Sequence, residues 1–304
     1  MCDMEWFDNI KGETCALSAA LSWAVATVIF GRAGKRVAPL ELNLVKGVIA
    51  VALLVVTLAV GGDLLTALEP AGVGLLALSG IIGIGLGDTA YFESLNGLGA
   101  RRALLIQMLS PPLAGLIAWV VIGEAISPAA WAGVALTVGG VAWVITERYA
   151  GPEGNESRLA RGIGMGLIAA VSQAAGAALS RAAFTHTSVS PLWAALIRLA
   201  AGVIILLVWI MIVKPAGERF TIHRKRDMWR MVFAATFIGT YVAIWLQQAA
   251  FKFTVTGIAQ TLISTSPLFV LPFAVRMGEK VTLRAVAGVA VALLGIALLF
   301  GVVL

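Results

Sequence analysis

Hydrophobic residues run along this chain in long blocks separated by short polar stretches. A helix needs about 20 mostly apolar residues to cross roughly 30 Å of hydrocarbon, and the chain divides into about ten such blocks. They are Gly12–Gly31, Leu40–Val60, Ala71–Ser94, Ala103–Ile122, Pro128–Thr146, Gly162–Phe184, Leu192–Val213, Met228–Phe251, Val255–Val275 and Leu283–Val303. The fourth and fifth are divided only by Gly123–Ser127, where the Gly123-Glu124 pair and Pro128 mark a break. Two connections are longer than the rest, Glu147–Arg161 and Lys214–Asp227, and neither is long enough for a soluble catalytic domain. The first lies at mid-chain and carries Gly151, Pro152, Gly154 and Asn155, the composition of a linker. The expected organisation is a first unit at 12–146, a linker at 147–161 and a second unit at 162–303.

Composition agrees with a lipid environment. Of the 304 residues 60% are hydrophobic and 12% charged, against about 25% charged in an ordinary soluble domain. That excludes a soluble enzyme, a disulfide scaffold and a disordered chain. Cys2 and Cys15 do not make a disulfide framework, and His186 and His223 have no metal spacing. No phosphate-binding loop ending in Gly-Lys-Ser/Thr occurs, which argues against ATP-driven work by this chain. The acidic start, with Asp3, Glu5 and Asp8, is unlike a cleaved secretory signal.

The net charge of +6 is distributed rather than concentrated on one face. Basic clusters fall in alternate connections: Arg32, Lys35 and Arg36; Arg101 and Arg102; Arg148, Arg158 and Arg161; Lys214 to Arg226; Arg276 and Lys280. The positive-inside rule makes that side cytoplasmic, so both termini are expected outside, with the chain in the inner (plasma) membrane. Nucleic acid is not an expected partner.

The two halves repeat. Ser110-Pro111-Pro112-Leu113 and Gly123-Glu124 recur as Ser266-Pro267-Leu268 and Gly278-Glu279, with Pro112 to Glu124 matching Pro267 to Glu279 in interval. Ala20-Leu21-Ser22-Trp23-Ala24 matches Ala170-Val171-Ser172-Gln173-Ala174, and Lys46 matches Arg198 relative to Pro39 and Pro191. Five spans in each half force the second copy to enter from the opposite side. The loop at Glu124 has no Lys or Arg while that at Glu279 has both, which agrees with inversion. Inverted repeats are the architecture of secondary transporters.

These motifs resemble the drug/metabolite transporter superfamily, specifically the EamA family of ten-helix permeases. The resemblance is carried by Gly99 to Leu105, Ser110 to Ala114, Ile122 to Ser127, and their second copy at Ile258 to Leu262, Ser266 to Leu268 and Met277 to Thr282. It implies an all-α membrane protein of two inverted five-helix repeats. It further implies a metabolite exporter, with aromatic amino-acid exporters the nearest type, and a cavity formed mainly by the first, third, fourth, sixth, eighth and ninth helices.

Candidate site residues are the polar groups inside the apolar blocks, since such groups usually face a cavity or a partner. Asp88 is the most informative, as a substrate-amine contact, a proton-coupling acid or a structural hydrogen-bond acceptor. Lys46 and Arg198 are candidate charge contacts, although a shared structural role fits their symmetry. Ser22, Gln107, Ser110, Ser172, Gln173, Gln248, Gln260 and Ser264 are candidates for a substrate surface. Gln247 and Ser266 belong to the same polar set. Trp23, Tyr91 and Trp245 add stacking surface. Pro112 and Pro267 are expected to break helices, and Glu124 and Glu279 to cap or grip at helix breaks. No cofactor or metal is expected. The implied partners are a small-molecule substrate and lipid, with protons as the candidate coupling ion.

The expected function is therefore export of small metabolites, amino acids first, by alternating access. Drugs, nucleotide-sugars and phosphorylated compounds are the alternative cargoes, and a passive channel or a membrane enzyme the alternatives of another class. An enzyme is disfavoured because no nucleophile and base converge in the sequence.

Overall fold

The structure, a computed structural model, describes residues 11–62, 69–122, 127–145, 156–213, 226–254, 256–276 and 282–299. Glu124 and Glu279 lie outside the described residues, as does 147–155 of the expected linker. The first helices are α1 (Lys11–Gly34), α2 (Pro39–Gly61) and α3 (Pro70–Leu98), followed by α4 (Ala100–Gln107), α5 (Ser110–Ile122) and α6 (Pro128–Ile145). Then come α7 (Glu156–His186), α8 (Pro191–Val213) and α9, which runs through Arg226–Thr236, Phe237–Val242 and Ala243–Phe253. The last are α10 (Thr256–Ile263), α11 (Ser266–Arg276) and α12 (Leu283–Leu299). Among the described residues, six helices are long and apolar enough to cross a membrane by length and composition, and shorter apolar helices accompany them.

Local chemistry sets the boundaries. Pro39 opens α2 and Pro70 opens α3, where the missing N–H costs nothing because the first turn has no acceptor for it. Gly62 closes α2 in the left-handed conformation, φ 76°, and returns its N–H to Ala59 O. The residues 156–161 belong to α7 rather than to a linker. Leu159, Ala160 and Arg161 are strong helix formers, and they extend the helix ahead of its apolar block.

The fourth and ninth apolar blocks are each broken rather than continuous. Met108-Leu109 separates α4 from α5, and Ser264-Thr265 separates α10 from α11. The cause is proline. Pro111, Pro112 and Pro267 cannot donate to the carbonyls four residues back, so the ladder stops there and resumes with proline in the next first turn.

The third and eighth blocks carry a second irregularity. Ile81–Asp88 in α3 and Phe237–Val242 in α9 are wound as π-helix. Such widened turns shift the hydrogen-bond register and are frequent at functional sites. They fall at equivalent places in the sequence repeat.

Packing pairs elements that the repeat makes equivalent. α6 lies along α12 in an extensive contact, and α2 lies along α8. The C-terminal half of α3 packs on α7, and that of α9 packs on α1. The approach of α6 to α12 depends on glycine. A Cβ on Gly140 would stand 2.7 Å from Gly288 O, and one on Gly295 would stand 2.6 Å from Gly133 O. Small residues let backbones meet where lipid supplies no hydrophobic drive between helices. α1 follows the same rule: Ala16, Ala19, Ala20, Ala24, Ala26 and Ala33 are all buried.

Candidate functional site

A cavity of about 150 Å³ lies at the centre of the bundle. Its walls come from α1, α3, α4, α7, α9 and α10, the start of α5 and α11, and one residue each from α2 and α8. Those two are Lys46 and Arg198, so the second and seventh blocks reach the cavity through their basic residues.

Three charges meet in this cavity. Lys46 on α2 forms an ion pair with Asp88 at the end of the α3 π-segment, and both are largely buried. Gln173 on α7 donates to the other carboxylate oxygen of Asp88 at 2.9 Å and to Gly83 O at 3.3 Å. The Lys46 ammonium also stands 5.1 Å above the Phe92 ring, a cation–π contact. Arg198 on α8 is 2% exposed and lines the same cavity. Its Nε and Nη1 have no hydrogen-bond partner among the described residues.

The π-segment builds this arrangement. Widening the turn takes carbonyls out of the regular ladder, and neighbouring side chains reach them. Asn43 Nδ2 donates to Ile84 O and to Thr89 Oγ1, both at 2.8 Å, while Thr89 Oγ1 donates to Gly85 O at 2.7 Å. Asp88 is thereby held at the end of a segment tied to α2 by Asn43 and to α7 by Gln173. Two glycines border the guanidinium: a Cβ on Gly83 or Gly176 would stand 3.3 or 3.5 Å from Arg198 Nη2.

An aromatic wall completes the cavity. Trp23, Phe30, Tyr91 and Phe92 line it. Tyr91 and Thr27 hydroxyls are 2.9 Å apart, and Phe30 meets Phe92 edge-on with centroids 5.2 Å apart. Gln107, Ser110, Gln260, Ser264 and Ser266, in sequence close to the two proline breaks, and Gln247 on α9 supply polar lining.

Of the residues singled out in the sequence, Trp23, Lys46, Asp88, Tyr91, Gln107, Ser110, Gln173, Arg198, Gln260, Ser264 and Pro267 line the cavity. Others stand elsewhere. Ser22 is half-buried beside Trp23 on α1, outside the lining. Ser172 is buried against α3, where a Cβ on Gly87 would come within 2.9 Å of it. Gln248 is fully buried, outside the lining, and its neighbour Gln247 faces the cavity instead. Trp245 is 36% exposed and meets Tyr241, whose hydroxyl is 2.7 Å from that of Thr57, on the outside of α9. Pro112 lies outside the lining while Pro111 is in it. Thr27, Phe30 and Phe92, at helical spacing from Trp23 and Asp88, also line the cavity, as does Thr240, for which the sequence holds no such cue. No group of His, Cys, Asp and Glu able to hold a metal ion occurs among the described residues.

A polytopic helical membrane protein folded around a central polar and aromatic cavity is the class that these features define. The EamA-like transporter family matches residues 10–146 and 160–301, and the chain belongs to this family of membrane transporters of small molecules. Among curated proteins, the uncharacterized protein PA1977 of Pseudomonas aeruginosa is 29% identical over 139 residues, 46% of this chain and 47% of that one. The chain thus spans about half the length of the curated relative it matches. A crystal structure of a protein with 19% sequence identity shares the fold at a TM-score of 0.65 over 94% of this chain and 95% of that one.

Proposed function

We propose that this protein is a secondary transporter that exports small metabolites, amino acids foremost, across the inner membrane by alternating access. One observation carries the reading: a cavity at the middle of the bundle, walled by equivalent helices of both halves and holding the Lys46–Asp88 pair and Arg198. Charges inside a bilayer are retained where they serve a pathway. Two five-helix units of opposite orientation, about 12–146 and 162–303, supply the exchangeable halves that alternating access needs. Basic connections face the cytoplasm and both termini face outward.

The cavity volume favours small cargo over nucleotide-sugars. A space of about 150 Å³ accommodates a benzene-sized group, and the aromatic wall suits an apolar side chain. Counterflow in liposomes tests the reading, with purified protein, a panel of amino acids, and a pH gradient present or absent. Saturable exchange of an internal amino acid for external label is the expected result. Flux that never saturates, or no exchange for any member, overturns it.

Asp88 is the candidate for proton coupling, since it ends the π-segment and faces the cavity. Replacement by Asn is expected to remove the pH dependence of exchange while counterflow persists. An unchanged pH response in Asp88→Asn excludes it as the coupling acid.

A further inference from the structure

We infer that Arg198 is the anchor for an acidic group on the cargo, so that an oxyanion, carboxylate first, is the chemical feature this transporter recognises. The inference rests on the transport reading for its cargo, but the anion site stands on geometry alone.

The repeat makes Lys46 and Arg198 equivalent, and the structure treats them differently. Lys46 has a counter-ion in Asp88. The register that carries Pro112 onto Pro267 carries Asp88 onto Ala243, next to Ile244, and both are buried and apolar. The second half therefore offers Arg198 no matching carboxylate. Asp88 makes no hydrogen bond to Arg198; those it accepts come from Lys46 and Gln173. Among the described residues Arg198 makes no ion pair, and its Nε and Nη1 are buried without an acceptor.

A buried guanidinium with no hydrogen-bonded counter-ion is costly, and an anion that reaches it lowers the cost. Among the charged residues lining the cavity, Lys46 and Asp88 cancel and Arg198 is left over. The guanidinium presents a planar fork that matches carboxylate or phosphate oxygens in pairs. Gly83 and Gly176 flank Nη2, and a Cβ on Gly83 would stand 3.3 Å from it.

The same geometry leaves little for a cargo amine. Asp88 is the carboxylate of the lining and is already engaged. Recognition should follow the acid and be indifferent to the α-amino group.

Four probes of one aromatic body separate these features: L-phenylalanine, its carboxamide, 3-phenylpropionate and phenyl phosphate. Purified full-length protein in detergent is unfolded thermally with each, since a ligand bound to the native state raises the midpoint. L-Phenylalanine and 3-phenylpropionate are expected to raise it and the carboxamide to leave it unchanged. Stabilisation by phenyl phosphate alone assigns the oxyanion as a phosphate ester. Arg198→Met is expected to bind the acids roughly ten- to a hundredfold more weakly, with Arg198→Lys in between. The comparison of acid with carboxamide on the native protein decides the matter even where Arg198→Met does not fold. Equal stabilisation by carboxamide and acid, no response to any acid, or an undiminished response in Arg198→Met overturns the inference. Acids that bind without counterflow refute transport and leave the anion site standing. Counterflow that accepts acid and carboxamide alike does the reverse.

Discussion

At the scale of residues, the site is organised by one ion pair in apolar surroundings. Removing one member of such a pair leaves a charge that neither water nor protein compensates, at a cost of about 3–5 kcal/mol. Lys46→Met is therefore expected to lower the unfolding midpoint sharply. The double replacement Lys46→Met with Asp88→Leu should lose much less than the two single changes added together. A double-mutant cycle by thermal unfolding measures this coupling, and additive losses would show that the pair contributes nothing. Asp88 was legible in the sequence because a carboxylate inside an apolar block is rare and has few physical reasons to be there. Its partner was not. Lys46 and Asp88 stand 42 residues apart, and nothing in the local pattern of either block points at the other. Gln247 and Gln248 make the same point more finely. Adjacent on one helix, they differ by about 100° in direction, and only packing selects Gln247 for the cavity.

At the scale of elements, backbone irregularity places the chemistry. The proline breaks between α4 and α5 and between α10 and α11 follow from Pro111, Pro112 and Pro267, and proline is visible in sequence. The π-segments are not, since no residue type encodes a widened turn as proline encodes a break. The one in α3 is supported from other helices, through Asn43 and Gln173. Glycine marks the tight places. A Cβ on Gly80 would lie 2.7 Å from the Cα of Arg198 and 2.7 Å from its carbonyl carbon. Backbone atoms of a packed helix cannot yield as a side-chain tip can, so Gly80→Ala should displace α8. Its expected signature is a lowered midpoint together with a lost response to acidic ligands. Gly99, between α3 and α4, has φ 80° and ψ 169°, a region essentially reserved for glycine. Gly99→Ala is expected to lose about 1–3 kcal/mol, and an unchanged midpoint would show that the turn relaxes freely.

At the scale of the whole molecule, the repeat relates two helix crossings. Gly12 on α1 meets Thr254 after α9, where a Cβ would be 2.9 Å from the threonine methyl. Gly162 on α7 meets Gly97 and Leu98 on α3, where a Cβ would be 3.5 Å from Gly97 Cα. Thr254 also donates to Glu13 at 2.6 Å, and Arg161 pairs with Glu93 at 2.9 Å. In the proposed topology these contacts lie at opposite faces of the membrane. In a background with Cys2 and Cys15 replaced, cysteine pairs at 12 and 254 or at 97 and 162 should each stop counterflow when oxidised and restore it on reduction. Full exchange with either pair oxidised would show that the crossing does not open during transport. Sequence by itself determined the lipid setting, the helical class, the proline breaks and the repeat. Each follows from the composition of a segment or from the likeness of two segments. Tertiary structure alone decided that Asp88 belongs to Lys46, that Arg198 Nε and Nη1 have no hydrogen-bond partner among the described residues, and that Trp245 faces outward. The reason is physical: burial and pairing are relations between helices far apart in the chain, and a rotation of one helix by a single residue changes them while the hydrophobic pattern stays nearly the same.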